Sequence, residues 1–137
     1  MARTRKARPE DIHAIASALP EVELGTSWGD RPTYKVGGRG FVLYRAPRHD
    51  AVDPATGHEL TDLVVILTAT AEDKAALVGA DGPFFTIDHF RSYNAVLVSQ
   101  ARLGEISRDE LAEVITDAWL ARAPKRLAAP FLAKPAR

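Results

Sequence analysis

Residues 84–131, FFTIDHFRSYNAVLVSQARLGEISRDELAEVITDAWLARAPKRLAAPF, contain the strongest folding signals in this chain. Residues 84–87 and 95–103 are runs of apolar, aromatic and β-branched side chains, which favour β-strands. Ser92, Tyr93 and Asn94 lie between these runs in a stretch typical of turns. The pattern predicts two strands joined by a turn.

A helix is predicted directly after these strands. Ser107 followed by Glu110 is a capping box, in which each side chain bonds the backbone amide of the other residue and so starts a helix. Apolar residues then recur at helical spacing, which defines a buried face made of Leu111, Val114, Ile115, Ala118 and Trp119. We expect this helix to end before Pro124, since proline cannot continue the backbone hydrogen bonds. A basic segment containing Lys125 and Arg126 follows.

Upstream of these strands, the pattern predicts a first helix and then a loop. Residues 9–18 begin with a proline and two acids, which suit a first helical turn, and Pro20 stops the pattern. Residues 20–32 are rich in glycine, serine and other turn formers, and we expect a loop there.

The middle of the chain predicts a β-hairpin. Strand formers at residues 33–36 and 41–45 flank a glycine-rich turn at residues 37–40. Residues 63–68 read as a buried strand, and residues 70–79 as a short helix that starts at a threonine and ends at a glycine. Strands in the middle with helices at both ends predict an α+β fold: an antiparallel sheet with the N- and C-terminal helices packed on one face.

The chain resembles a known family in several separate segments. The matching residues are Phe84-Phe85-Thr86, His89, Ala95-Val96-Leu97-Val98, Ala118-Trp119, Arg122 through Leu127, Ser27-Trp28-Gly29, and Gly37 through Phe41. On these residues it resembles the MmcQ/YjbR family of small bacterial proteins over roughly residues 9–131. The resemblance implies a CyaY-like (frataxin-like) α-β-α sandwich whose hairpins have been likened to wings. That family is commonly described as DNA-binding. Its turn usually carries lysine where Arg39 stands, so the charge is kept.

Length and composition predict a single cytoplasmic domain. The 137 residues suffice for one hydrophobic core, and the absence of cysteine excludes disulfides and thiolate metal sites. We expect disordered tails at residues 1–8 and 132–137 around a domain at residues 9–131. No apolar run reaches the length of a membrane span, which is roughly 18 residues. We expect a monomer with no membrane association.

Basic residues are unevenly distributed in a chain whose 18 basic and 18 acidic residues cancel. Both termini are basic, and so is the stretch of residues 31–48 within an otherwise acidic body. Two interpretations stay open for these charges: contacts to nucleic-acid phosphates, or a solvated strand edge and a compensated helix end. The nucleic-acid interpretation predicts weak, salt-dependent DNA binding by Arg31, Lys35, Arg39, Arg45, Arg48, Lys125 and Arg126.

Trp28 and His89 are candidates for contact with a ligand or a partner. Trp28 stands in a glycine-flanked loop, where it either stacks on a bound ring or covers the edge of the core. His89 adjoins Asp88, but neighbours in a strand point to opposite faces, which argues against a catalytic dyad. A protein-interaction or small-ligand domain that uses the face around Trp28 is therefore the alternative to DNA binding.

The sequence gives little support for enzymatic activity. It contains no nucleophile elbow, phosphate-binding loop or helical histidine pair. His49, Asp50, Asp53, His58, Glu59 and Asp62 crowd one segment, yet their spacing matches no metal motif that we can identify. We therefore expect a binding protein without catalytic residues, metal or cofactor.

Overall fold

The computed structural model describes residues 5–27, 31–53 and 56–133. Within these ranges the helices are α1 (Pro9–Ala18), α2 (Ala71–Gly79), α3 (Arg108–Arg122) and α4 (Lys125–Ala133). The strands are β1 (Glu23–Ser27), β2 (Arg31–Val36), β3 (Arg39–Tyr44), β4 (Leu63–Leu67) and β5 (Ala95–Ser99). They form one antiparallel sheet in the order β1-β2-β3-β4-β5. The predicted α+β class is confirmed.

The β2–β3 hairpin turns through two glycines. Val36 pairs with Arg39, and Gly37 and Gly38 between them have φ of +58° and +78°. Two positive φ values in a two-residue turn match the right-handed twist of the flanking strands, and glycine adopts them without steric cost. The predicted hairpin is confirmed.

A β-bulge in β3 changes which side chains face the helices. Tyr34 pairs with Val42 but Lys35 pairs with Gly40, so Phe41 is an extra residue on β3. Phe41 and Val42 are consecutive, yet both are fully buried in the core on the helix side of the sheet. A bulge has this effect because it breaks the strict alternation of side chains.

The sheet has a helix-covered face and a second face that is only partly covered. On the covered face, Ile12 of α1 and Ile115 and Trp119 of α3 share one core with the sheet. The indole Nε1 of Trp119 donates to the Pro20 carbonyl at 3.1 Å and ties α3 to the end of α1. On the second face, a smaller cluster that includes Leu97 packs under segments outside the strands. That partly covered face is where a site can form.

The predicted helix starts are confirmed by their caps. Ser107 Oγ accepts from the Glu110 amide at 3.1 Å, and the Glu110 carboxylate accepts from the Ser107 amide at 3.1 Å. The hydroxyl of Thr70 accepts from the Asp73 amide at the start of α2. These local bonds satisfy amides that a helix leaves free in its first turn.

Two predictions about strands are wrong in part. The expected loop at residues 20–32 contains β1, whose Gly25 pairs with Thr33 of β2. The expected strand at residues 95–103 ends at Ser99 and continues as a 3₁₀ helix over Gln100–Glu105. The Asp62 carboxylate accepts from the Ser99 hydroxyl and from the Ala101 amide, so it binds the backbone just where the strand ends.

The expected strand at residues 84–87 is reduced to one bridge. Phe85 exchanges backbone hydrogen bonds with Leu97 at 2.9 and 2.8 Å, and no longer pairing forms there among the described residues. Proline precedes this segment and a 3₁₀ helix over Asp88–Phe90 follows it, which leaves little room for a ladder.

The tails expected to be disordered are ordered where the structure describes them. Ala7 is buried and its amide donates to the Ile106 carbonyl at 2.9 Å. Arg5 forms a bidentate ion pair with Asp11 at 2.8 and 2.6 Å. At the other end, the basic segment forms α4, which extends to Ala133. Residues 1–4 and 134–137 lie outside the described ranges.

Across the described ranges, none of the helices combines the length and the apolar character needed to cross a lipid bilayer.

Candidate functional site

Two neighbouring cavities lie on the partly covered side of the sheet. Their volumes are about 450 and 520 Å³, and His89 lines both. We call the two cavities together the sheet groove. Its lining includes the aromatic rings of Phe90 and Tyr93 and several cationic or titratable side chains, among them Arg31, Lys35, Arg45, Arg48, His89 and Arg122. The lining of the groove is therefore basic and partly aromatic.

Strand β2 supplies two of the cations. Arg31, Thr33 and Lys35 alternate with Tyr34 and point to the groove face, whereas Tyr34 is buried on the helix side. The Lys35 side chain crosses over β1: a Cβ at Gly25 would lie 3.5 Å from its Cε and 3.6 Å from its Nζ. A side chain at position 25 would thus be in ordinary van der Waals contact with the lysine stem.

Gly40 keeps the groove open beside Lys35. A Cβ at this position would lie only 3.0 Å from Cγ2 of Thr33, which is closer than a side chain normally tolerates. Gly40 pairs with Lys35 across the hairpin, so a larger residue there would press on Thr33 in the strand that carries this lysine.

Arg45 does not act as the exposed cation that its sequence position predicts. It is 4% exposed, and its guanidinium bonds both Asp50 carboxylate oxygens at 2.9 and 2.8 Å. Its Cζ also lies 5.3 Å from the centroid of the Phe90 ring. The Arg45 guanidinium holds the pKa of the Asp50 carboxyl below its usual range. Arg45 is thus buried and paired with a carboxylate, which argues against the predicted phosphate contact; that contact stays a prediction.

Arg48 follows three residues later and differs in its environment. It is exposed and lines the same cavity as Arg31 and His89. Within the part of the chain that the structure describes, no carboxylate forms an ion pair with Arg48, Arg31, Lys35 or Arg122. Arg48 is nevertheless close enough to Asp50 for its charge to help lower the pKa of that carboxyl.

The aromatic part of the groove is fixed by a lysine from a different element. The Nζ of Lys74, on α2, donates to the carbonyls of Phe90, Arg91 and Tyr93 at 2.6, 3.2 and 2.6 Å. Burial lowers the pKa of the Lys74 ammonium group. Three bonds from one charged donor hold a segment that otherwise has only turn-type backbone bonds.

His89 lies in this fixed segment and is exposed. Its ring contacts Phe90 edge-on at a centroid distance of 5.0 Å and approaches Tyr93 at 6.4 Å. The Asp88 carboxylate bonds Arg91 at 2.6 Å, as the i,i+3 geometry of a 3₁₀ turn allows. The prediction that His89 contacts a ligand stays a prediction, and its position at the junction of both cavities makes it testable.

The C-terminal cations meet the hairpin at its turn. A Cβ at Gly37 would lie 3.4 Å from Cδ of Pro124, so the turn packs beside the start of α4. Arg122 lines the groove with Lys35 and Gly38. The sequence could not show that these two basic segments adjoin, because more than eighty residues separate them.

The other predicted cations divide into exposed and paired side chains. Arg39 at the hairpin turn and Lys125 at the start of α4 are exposed but lie outside the two cavities. Arg126 forms a bidentate ion pair with Glu21 at 2.9 and 3.0 Å, which partly neutralises it. Trp28 lies outside the described residues, so its predicted role stays a prediction.

No group of three or more histidine and acidic side chains in the described ranges is arranged to hold a metal ion. Asp50 and Asp62, from the segment rich in such residues, are bonded to Arg45 and to Ser99. The Tyr44 hydroxyl has a raised pKa, because it is buried and because it interacts with Tyr34.

Lys74 and Tyr93 are the two residues that sequence reasoning missed. Tyr93 is 58% exposed, and an aromatic residue in a turn between strands was the available signal. Lys74 gave no signal, because a lysine in an amphipathic helix usually points to solvent.

A cavity of about 710 Å³ lies apart from the sheet groove. Its lining is mainly apolar and includes Ala51, Val52, Leu60, Phe85 and Ile87. Arg102 also lines it but pairs with Glu105 at 2.6 Å.

Comparison with known proteins identifies the family. The sequence model of the YjbR family matches residues 17–121, well over half of the chain. An uncharacterised protein of Mycobacterium bovis and two of Mycobacterium tuberculosis are each 45% identical over 73 residues, which is 53% of this chain and 54% of theirs. The chain thus spans about half the length of the curated relatives it matches. No solved structure matches it significantly. The family match, together with the hairpin and the C-terminal helix that carry the resemblance, makes this chain a member of the MmcQ/YjbR family.

Proposed function

We propose that the protein binds nucleic acid, DNA in the first instance, through the phosphate contacts of the sheet groove. The observation that supports this most directly is the convergence of Arg31, Lys35, Arg48 and Arg122 on one groove without carboxylate partners among the described residues. Arginine and lysine are side chains that commonly contact phosphate oxygens.

Charge distribution also supports modest rather than tight binding. The chain has no net charge, so its attraction to a polyanion is local to the groove and to the exposed Arg39 and Lys125 nearby. Affinity that depends on a few ion pairs falls steeply with salt, because each phosphate contact releases counterions. We propose weak, salt-dependent binding by a cytoplasmic monomer; the lack of cysteine agrees with a reducing compartment.

The arrangement of helices and strands also supports a proposal about the fold type. Helices α1 and α3 packed on one face of a five-stranded antiparallel sheet agree with a CyaY-like arrangement, and we propose that the fold is of this type. A shared fold type carries no conclusion about function, since one fold supports many functions.

The experiment that tests the proposal is fluorescence anisotropy with labelled DNA over a series of salt concentrations. We expect saturable binding at low salt, with log K falling linearly against log salt. Lys35→Ala and Arg48→Ala should each weaken binding and reduce the magnitude of that slope by about one.

Lys6→Ala is the matched control, because it removes an exposed cation beside Ser107, away from the groove. It should leave the slope nearly unchanged. Absence of binding at low salt, or equal effects of all three substitutions, would refute the groove as a nucleic-acid site.

A second candidate function is small-ligand or partner binding. The apolar cavity of about 710 Å³ falls within the size range of small-molecule pockets, which is roughly 300–1,000 Å³. The face around Trp28 is the other candidate surface. A thermal-shift screen with a small-molecule library, repeated on the Val52→Trp and Trp28→Ala variants, would distinguish the apolar cavity from the face around Trp28. A compound that stabilises every protein except Val52→Trp binds in the cavity.

A further inference from the structure

Tyr93 and His89 have an arrangement that phosphate binding alone does not explain. Tyr93 is 58% exposed, and the His89 ring beside it is exposed too. Phe90 between them is buried, with its ring 5.9 Å from that of Tyr93 and 5.0 Å from that of His89. Two exposed rings thus contact a buried third ring in the lining of a basic groove.

The backbone that carries these rings is held in place before any ligand arrives. The Lys74 ammonium group bonds the carbonyls of both Phe90 and Tyr93, and the Arg45 guanidinium lies against the Phe90 ring. An exposed aromatic side chain in a turn normally gains rotational freedom. Here its backbone is already anchored, so a stacking contact would lose less backbone entropy on binding.

Base pairing determines whether the bases of a nucleic acid can stack on exposed aromatic side chains. In a duplex the faces of the bases are covered by their neighbours, and only the phosphates and groove edges meet a protein surface. In a single strand the base faces are free, and aromatic side chains stack on them inside a positively charged channel. The sheet groove combines both elements, since Arg48 and Lys35 line the cavities that His89 joins.

We propose that the sheet groove binds single-stranded nucleic acid, with at least one unpaired base stacked on Tyr93 and the flanking phosphates on Arg48 and Lys35. This inference rests on the proposed nucleic-acid binding and specifies its substrate class. It assigns the aromatic segment 89–93 a binding role rather than a packing role.

The test compares one oligonucleotide in two forms: a labelled single strand, and the same strand annealed to its complement. Tyr93→Leu keeps an apolar side chain but removes the ring, and Tyr93→Phe restores the ring without the hydroxyl. We expect Tyr93→Leu to weaken single-strand binding about tenfold, as the loss of one stacked base does. Tyr93→Phe should bind like the unaltered protein, and duplex binding should be the same in all three proteins.

A second readout does not depend on affinity. A single strand carrying 2-aminopurine, whose fluorescence falls on stacking, should be quenched on binding the unaltered protein and Tyr93→Phe, and quenched less by Tyr93→Leu. Circular dichroism of each variant checks that it is folded.

The outcomes separate this inference from the proposal beneath it. Equal affinity for both forms, with Tyr93→Leu without effect, overturns the single-strand inference and leaves phosphate binding in place. No binding of either form at low salt overturns both. Single-strand preference that is lost in Tyr93→Leu and kept in Tyr93→Phe supports the inference.

Discussion

Asp50→Ala should destabilise the protein more than Arg45→Met, although the two residues form one ion pair. The Arg45 side chain is 3% exposed and that of Asp50 is 27% exposed. Removal of Asp50 leaves a positive charge in the interior without a partner, which costs roughly 3–5 kcal/mol. Removal of Arg45 leaves a carboxylate that water can reach, and methionine still packs against Phe90. We therefore expect the second loss to be about 2 kcal/mol, the value of a charge-assisted hydrogen bond.

Urea denaturation of the two variants measures this difference. Both should unfold at lower urea than the unaltered protein with similar slopes, and the free energies of unfolding should differ by about 2 kcal/mol. In a thermal scan, Asp50→Ala should melt roughly 6–10 °C below Arg45→Met for a chain of this size.

The control is an exposed ion pair of similar geometry. Arg102 and Glu105 are 51% and 43% exposed, so Arg102→Met and Glu105→Ala should each change stability by less than about 1 kcal/mol. If Arg45→Met cost as much as Asp50→Ala, or more, the asymmetry of burial would not govern the energetics and the reasoning would be refuted.

Three other perturbations test separate parts of the structure. The Arg5 guanidinium lowers the pKa of the Asp11 carboxyl to about 2, below that of an unfolded aspartate. The stability that this pair contributes is therefore present above about pH 4 and is lost as the pH falls toward 2. Asp11→Asn should flatten the acid part of a curve of stability against pH by roughly 2 kcal/mol, and an unchanged curve would contradict this. Gly37→Ala should lower the free energy of unfolding, measured by urea denaturation, by about 1–2 kcal/mol, because φ is +58° and the new Cβ would lie 3.4 Å from Pro124. The control is Gly82→Ala, whose Cβ would meet no described heavy atom within 4 Å. It should leave the free energy of unfolding nearly unchanged. Lys74→Met should speed amide hydrogen exchange at residues 90–94 by about tenfold or more without affecting β5; uniform acceleration would mean that Lys74 stabilises the whole fold instead.

Local patterns predicted the elements whose causes are local. The β2–β3 hairpin depends on Gly37 and Gly38, and the start of α3 on Ser107 and Glu110, and each pair acts within four residues. Strand β1 was missed because glycine, threonine and serine have turn propensity, while pairing with β2 is a tertiary effect.

The candidate site was less predictable, since its character depends on contacts between distant residues. The pattern of basic residues could not distinguish Arg45 from Arg48: the first is buried between Asp50 and Phe90, and the second is exposed. Likewise, nothing near Lys74 in sequence indicates that it binds carbonyls sixteen to nineteen positions away.

The sequential strand order has a consequence for how the chain folds. Every strand pairs with the next strand along the chain, so the sheet can assemble by closing one hairpin after another. The bond from Trp119 to Pro20, by contrast, joins residues 99 positions apart. Loop closure costs more entropy as the loop lengthens, and distant contacts slow folding. We therefore expect the hairpins to form early, and the docking of α3 against the end of α1 to be the late step that completes the native core.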